Sequence, residues 1–172
     1  MNLHPRRGFR GEYLFWDLNK TKHQSPLVLP NLIPNDGETE FLKMLMQDAT
    51  AVAGGANFYV GLCDQVPTEA LVLGGITTEP SSAGGYARQA LARDGTDWPT
   101  VATVNGHLCI TSIPVTFSAS GADYSRTFSR FFLTSAASGG TGKLYSVSGP
   151  LVSPLLILAG ASYAAAYRLY MN

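Results

Sequence analysis

The most informative stretch of this sequence is Asn57-Phe-Tyr-Val-Gly-Leu-Cys63. Its bulky apolar side chains Phe58, Val60 and Leu62 stand at every second position, which is the period of a β-strand whose two faces meet different surroundings. The glycines, prolines and serines that follow predict a long ordered loop. The stretch therefore indicates structural scaffolding and not a reaction centre.

Further short strands are expected along the rest of the chain. Asn105-Gly106 predicts a hairpin turn, and Ser138–Gly142 predicts a second turn. No helical segment lies between the expected strands to connect parallel pairs, so they predict an antiparallel β-sandwich. The expected strands are 108–110, 115–117, 126–133, 143–147, 151–158 and 162–170.

Three short motifs follow the first strand: Thr78-Glu-Pro80, Gly84-Gly-Tyr-Ala-Arg88 and Trp98-Pro99. Together with that strand they resemble a family of tailed-bacteriophage virion proteins, which are small β-sandwiches that sit on capsids or tails. The resemblance covers residues 57–170 by general pattern. It implies a jelly-roll-like topology, no enzymatic activity, and a place in the virion after assembly in the host cytoplasm.

Residues 1–35 are predicted to be an extended N-terminal arm ahead of a sandwich domain of residues 36–172. Prolines in this segment oppose regular helix, and its large apolar side chains would be costly to leave in water. We expect the arm to dock on a neighbouring virion protein, with packing against its own domain as the alternative. The candidate partner-binding residues are Arg6, Arg7, Arg10, Tyr13, Phe15, Trp16, Leu27, Leu29 and Ile33.

One helix is predicted, over residues 37–53. Asp36 is its expected N-cap, and Glu38 and Glu40 lie where the positive end of the helix dipole favours acids. Ala53-Gly54-Gly55 is its expected end. The apolar stripe of this helix, which a sheet would bury, consists of Phe41, Leu42, Leu45 and Met46.

The composition indicates a single domain, either one whose surface is covered in an assembly or an ordinary β-domain with a Ser/Thr-rich surface. Of the 172 residues only 14% are charged, and the net charge is zero, which gives a free monomer little colloidal protection. No block of like charge predicts a specific nucleic-acid site in the folded part. The uncharged run Leu144–Tyr167 has the length of a membrane span, but its prolines favour two strands, so no membrane partner is expected.

No motif predicts catalysis, a cofactor or a metal site. Ala137–Leu144 differs from a phosphate-binding loop at its first glycine and after its lysine, so it predicts a turn. Ser162 lacks the context of a nucleophile elbow. Cys63 and Cys109 are interpreted as free thiols in the core. A calcium loop around Asp94 and Asp97 is the weaker alternative to an ordinary turn.

Glu79, Tyr86, Arg88 and Trp98 lie in the part of the chain that carries the virion resemblance. The favoured interpretation is structural: Arg88 pairs with Glu79 to pin the long loop, while Tyr86 and Trp98 cover the sandwich edge. The alternative is an interface, because Tyr, Trp and Arg dominate interface energetics. A third possibility is a carbohydrate-binding cleft lined by exposed Tyr86, Trp98 and Tyr124.

The resulting hypothesis is a capsid cement or decoration protein that binds the assembled shell. Its expected partners are the major capsid protein or other virion proteins, and a symmetric trimer or dimer is expected. A tail, baseplate or fibre-anchoring component is the first alternative, and a carbohydrate-binding module is the second. On this hypothesis, deletion of residues 1–35 is expected to leave the sandwich folded and to weaken its attachment to the assembled shell.

Overall fold

The computed structural model describes residues 9–20, 25–46, 57–99 and 101–171. These residues form ten strands, one α-helix and two short 3₁₀ turns within the 64–88 loop. The helix is α1 (Asn35–Met46). The strands are β1 (Phe9–Asp17), β2 (Leu27–Leu32), β3 (Asn57–Cys63), β4 (Gln89–Ala92), β5 (Val101–Val104), β6 (His107–Thr111), β7 (Val115–Ser118), β8 (Arg130–Thr134), β9 (Leu144–Ser148) and β10 (Ser162–Met171).

The strands pair as one long hairpin folded back on itself. β1 pairs with β10, β2 with β9, β3 with β8 and β5 with β6, each antiparallel, while β4 and β7 contact one another. The tip of this hairpin is the turn at Asn105 and Gly106, whose φ angles of 53° and 83° suit a type I′ turn. The nested pairing agrees with the predicted jelly-roll-like, all-β antiparallel sandwich.

Strand β2 belongs to both layers of the sandwich. Its first part, through Pro30, pairs with β1, and Asn31 and Leu32 pair with β9. The first sheet has the order β2-β1-β10-β6-β5, with β7 also on β10, and the second has the order β4-β3-β8-β9-β2. Pro30 has no N–H to give to a ladder, so it fits the point where the strand passes from one sheet to the other.

Aromatic side chains from both sheets fill the core. Tyr13 and Tyr167 from the first sheet lie with ring centroids 5.0 Å apart, and Tyr13 stacks on Phe131 of the second sheet at 5.8 Å. The Tyr13 hydroxyl is satisfied by Ser146 Oγ at 2.6 Å. Burial of these large rings supplies the main favourable contribution to folding.

The prediction that residues 1–35 form an extended arm is wrong for the part of that segment that the structure describes. β1 pairs with β10 at nine positions in the middle of the sheet, and β2 lies beside it. Tyr13, Phe15, Leu29 and Ile33 form part of the main core, so these apolar residues of the segment are buried in their own domain. The cause is long-range pairing with the C-terminal strand, which local sequence does not reveal.

The helix lies where the sequence predicted it, but it does not start at the predicted residue. α1 begins at Asn35 and not at residue 37. The Asp36 carboxylate does not cap it: it accepts hydrogen bonds from Lys143 Nζ at 2.8 Å and from the backbone N–H of Leu144 at 3.2 Å. The expected end at 53–55 lies outside the described residues, and of the expected stripe Phe41 is buried while Leu42 is exposed.

Two of the expected strands are shorter than their apolar patterns suggest. Residues 151–158 form a single bridge, between Leu155 and Phe128, because Pro150 and Pro154 interrupt a ladder. Strand β8 begins only at Arg130, four residues after the expected start at 126. Among the described residues, no helix is long and apolar enough to cross a membrane.

Gly61 allows β3 to pack tightly against β8, and a methyl group there is expected to destabilise the fold. A Cβ built on Gly61 would lie 2.3 Å from the ring of the fully buried Phe132. Gly61→Ala should therefore lower the free energy of unfolding by about 1–3 kcal/mol, the cost of overpacking. Urea denaturation measures this loss. The matched control is Gly95→Ala, since a Cβ on Gly95 meets nothing within 4 Å; equal stability of both variants would contradict the prediction.

Candidate functional site

The long loop after β3 is held to the sandwich by an ion pair. Arg88 donates from Nε to Glu79 Oε1 at 2.8 Å and from a terminal nitrogen to Glu79 Oε2 at 2.7 Å, a bidentate arrangement. Its other terminal donors reach the backbone carbonyls of Ala136 and Gly139 at 2.9 and 2.8 Å. Arg88 therefore connects the 64–88 loop with the turn between β8 and β9.

Packing around this pair shields most of it from water. The Arg88 guanidinium lies 5.1 Å from the centroid of Phe132, and Tyr86 donates its hydroxyl hydrogen to Glu79 Oε1 at 2.7 Å while accepting from the N–H of Leu62 at 3.0 Å. Burial, with the Glu79 charge next, raises the pKa of Tyr86, so the hydroxyl keeps its proton. Every polar group of the cluster is used internally, which supports the structural interpretation of these residues.

Trp98 lies apart from that cluster, beside an apolar groove of about 560 Å³. Its ring makes edge contacts with Phe58 at 5.8 Å and Tyr167 at 6.5 Å. The Trp98 indole N–H is buried without a hydrogen-bond partner. The groove is also lined by Phe41, Arg93, Asp94, Gly95, Ile110, Leu133 and Leu169.

The structure does not bring together the three aromatic residues of the carbohydrate hypothesis. Tyr86 and Tyr124 are buried, with their rings in edge contact at 5.3 Å, and Tyr86 also stacks on Phe117. Trp98 packs against other rings. These side chains form no common exposed cleft, because the loop that carries Tyr86 is drawn into the core by the Leu62 and Glu79 hydrogen bonds.

The predicted partner-binding residues that the structure describes include both buried and accessible side chains. Tyr13, Phe15, Leu29 and Ile33 are buried in the main core and cannot contact a partner without unfolding. The side chains of Arg10 and Leu27 are exposed, Trp16 is half-buried, and Arg6 and Arg7 lie outside the described residues. Binding of a partner by the exposed members stays a prediction.

The loops that suggested other chemistry have structural roles. Lys143, at the loop that resembles a phosphate-binding motif, pairs with Asp36, and this contact raises its pKa. The Asp94 carboxylate accepts from the N–H groups of Thr96 and Asp97, while Asp97 accepts from the N–H of Ala92. No group of three or more possible metal ligands was found among the described residues.

Both cysteines are buried thiols, and neither is expected to react in the native protein. Burial raises the pKa of Cys63 to about 12, far above the pH at which thiolates normally form. Maleimide labelling at pH 8, followed by mass spectrometry, should therefore leave Cys63 unmodified until denaturant is added. Rapid labelling of Cys63 in buffer, with the near-UV circular dichroism unchanged, would contradict this expectation.

Sequence analysis missed the most exposed strand of the sheet. β5 lies at the end of the first sheet, and its residues Val101, Ala102 and Thr103 are exposed. The neighbouring hairpin strand exposes Leu108. A signal was present in the sequence, since no Asp, Glu, Lys or Arg occurs between Asp97 and Asp123. Edge strands of monomeric proteins usually carry charge or proline as protection, which this stretch lacks within β5.

One comparison with known proteins identifies a relationship. A family model described as "Podophage GP4 fiber I protein gp80" matches residues 35–166, which is more than half of the chain. The match extends from the start of α1 into β10. No curated protein matches the sequence.

Proposed function

The chain belongs to the podophage GP4 fiber I protein gp80 family, a family of phage structural proteins, and from this we propose that it is a non-enzymatic component of the fibre or tail of a podophage virion. The family match carries the proposal. It favours the tail, baseplate or fibre alternative over the capsid cement that was expected first, because the matched family is described as a fibre protein.

The geometry removes the structural basis of the cement hypothesis. The cement hypothesis relied on a free arm that crosses a neighbouring subunit, whereas the described part of residues 1–35 supplies β1 and β2 to the protein's own sheet. The polar cluster around Glu79 and Arg88 is used to hold loops in place. Such stabilised loops would suit a capsid protein or a tail protein equally well, so the choice of the fibre or tail rests on the family match.

The test is the position and copy number of the protein in purified particles of the phage that encodes it. Quantitative mass spectrometry against the major capsid protein should give a small symmetric multiple, and gold-labelled antibodies should mark the tail. A copy number close to that of the capsid protein, with label over the shell, would favour the decoration role. Absence from purified particles would overturn the proposal.

A further inference from the structure

The groove beside Trp98 is formed by side chains from both layers of the sandwich. Ile110 and Leu169 line it from the first sheet, and Phe58 and Leu133 line it from the second. Its volume of about 560 Å³ lies within the range of about 300–1,000 Å³ that is usual for binding pockets. An apolar cavity of about 150 Å³ is enough for a benzene ring. The groove therefore has room for a side chain of the largest kind.

The walls of the groove favour an uncharged aromatic group. Four of the side chains that line it are aromatic: Phe41, Phe58, Trp98 and Tyr167. Aromatic rings pack favourably against one another edge to face or offset. Arg93 and Asp94, which also line the groove, carry opposite charges, and the Asp94 carboxylate already accepts from the N–H groups of Thr96 and Asp97. A further charge buried among these rings would be costly, so the inserted group should be neutral.

The apolar surface continues outside the groove, along the β5–β6 hairpin. Val101 lies opposite Ile110, and Leu108 stands two positions before Ile110 on β6, so all three share one face of the sheet. Val101 is 59% exposed and Leu108 is 56% exposed. No Asp, Glu, Lys or Arg occurs between Asp97 and Asp123. A groove that opens onto such a surface suits a polypeptide segment with few charges better than it suits a small molecule.

We propose that the groove beside Trp98 receives an aromatic side chain from an uncharged segment of a different protein of the virion. Among the described residues, the large apolar side chains that are exposed are all aliphatic, so the described surface of a second copy offers no aromatic group to insert. The inserted ring would anchor the contact, as large aromatic side chains in pockets do at many interfaces. This inference rests on the proposed function, because a fibre or tail component must be attached to other virion proteins.

Titration with a capped amino acid tests the chemistry of the groove without the partner. N-acetylphenylalanine methylamide carries the proposed side chain, and N-acetylalanine methylamide is the same compound without the ring. The indole N–H of Trp98 gives a proton NMR signal that Trp98→Phe identifies by its loss. The phenylalanine compound should shift this signal until it saturates, while the alanine compound should leave it in place. Equal shifts with the two compounds, or no shift with either, would overturn the proposal.

Variants that fill the groove test the contact in the particle. Leu169→Trp places a larger ring among the lining residues, and Gly95→Trp is the second variant, since a Cβ on Gly95 meets nothing within 4 Å. Val152→Trp, at a position 95% exposed, is the matched control. In particles assembled with each variant in place of the wild type, the copy number of a groove-filled variant should fall about tenfold. The control should keep the wild-type copy number.

Three outcomes in these experiments would overturn the proposal, and they can be told apart. Normal incorporation of a groove-filled variant whose near-UV circular dichroism is native would overturn this inference and leave the proposed function intact. Absence of the wild-type protein from the particles would overturn both. Loss of self-association by the groove-filled variants in sedimentation velocity, with Val152→Trp unchanged, would assign the groove to a second copy and overturn the inference.

Discussion

Removal of residues 1–35 is expected to leave a chain that does not fold. The truncated protein loses β1, which pairs with β10 at nine positions, and also β2, which joins the two sheets. It loses the buried side chains of Tyr13, Phe15 and Leu29 as well. Each large buried side chain contributes about 3–5 kcal/mol, whereas a whole domain is stable by about 5–15 kcal/mol. Near-UV circular dichroism and limited proteolysis should show no native state.

A point variant separates loss of the strand from loss of chain length. Tyr13→Ala should cost about 3–5 kcal/mol of unfolding free energy in urea, since it empties a core site between Phe131 and Tyr167. Leu18→Ala, at a position 51% exposed, should cost little and serves as the control. A truncated protein that melts cooperatively, with dispersed amide resonances, would instead restore the arm interpretation of residues 1–35.

Arg88→Met is expected to cost about 3–5 kcal/mol of unfolding free energy, because it leaves the Glu79 carboxylate without its bidentate partner in a mostly buried place. The change also frees the carbonyls of Ala136 and Gly139. Chemical denaturation measures the loss. Arg126→Met is the matched control, since Arg126 is exposed and makes one hydrogen bond, to the carbonyl of Thr77 at 3.2 Å.

The double variant shows whether the ion pair or the packing of the loop contributes more to the free energy of unfolding. Replacing both partners, as Arg88→Met with Glu79→Leu, removes the uncompensated charge and should recover part of the lost stability. The Tyr86 hydroxyl then keeps its hydrogen bond from the Leu62 N–H. If Arg88→Met alone cost less than about 1 kcal/mol, the pair would behave as an ordinary surface salt bridge and the proposed pinning of the loop would be wrong.

The resemblance to phage virion proteins was correct at the level of a structural protein of the virion, and the matching family is described as a fibre protein. The choice between capsid and tail could not come from motifs around Glu79, Arg88 and Trp98. Those residues stabilise the sandwich, and a stabilised loop serves equally well in either location. Partner identity depends on exposed surface, and exposure is a property of the folded chain.

Several elements of this protein could be predicted from local sequence patterns. Alternating apolar residues predicted β3, Asn105-Gly106 predicted the β5–β6 turn, and acidic residues ahead of an apolar stripe predicted α1. These features depend on contacts between residues close in sequence, so they can be recognised without the fold. The all-β antiparallel class followed from the same local evidence.

Only the tertiary structure shows that the described part of residues 1–35 forms two strands of the sandwich. Tyr13, Leu14, Phe15 and Trp16 are consecutive apolar residues and show no alternation, so they gave no strand signal. Pro30 suggested a chain outside any sheet, yet it lies where β2 changes sheets. Both strands form because β10, more than a hundred residues later, supplies a partner for β1. Pairing over that separation depends on the collapse of the whole chain, which no local pattern encodes.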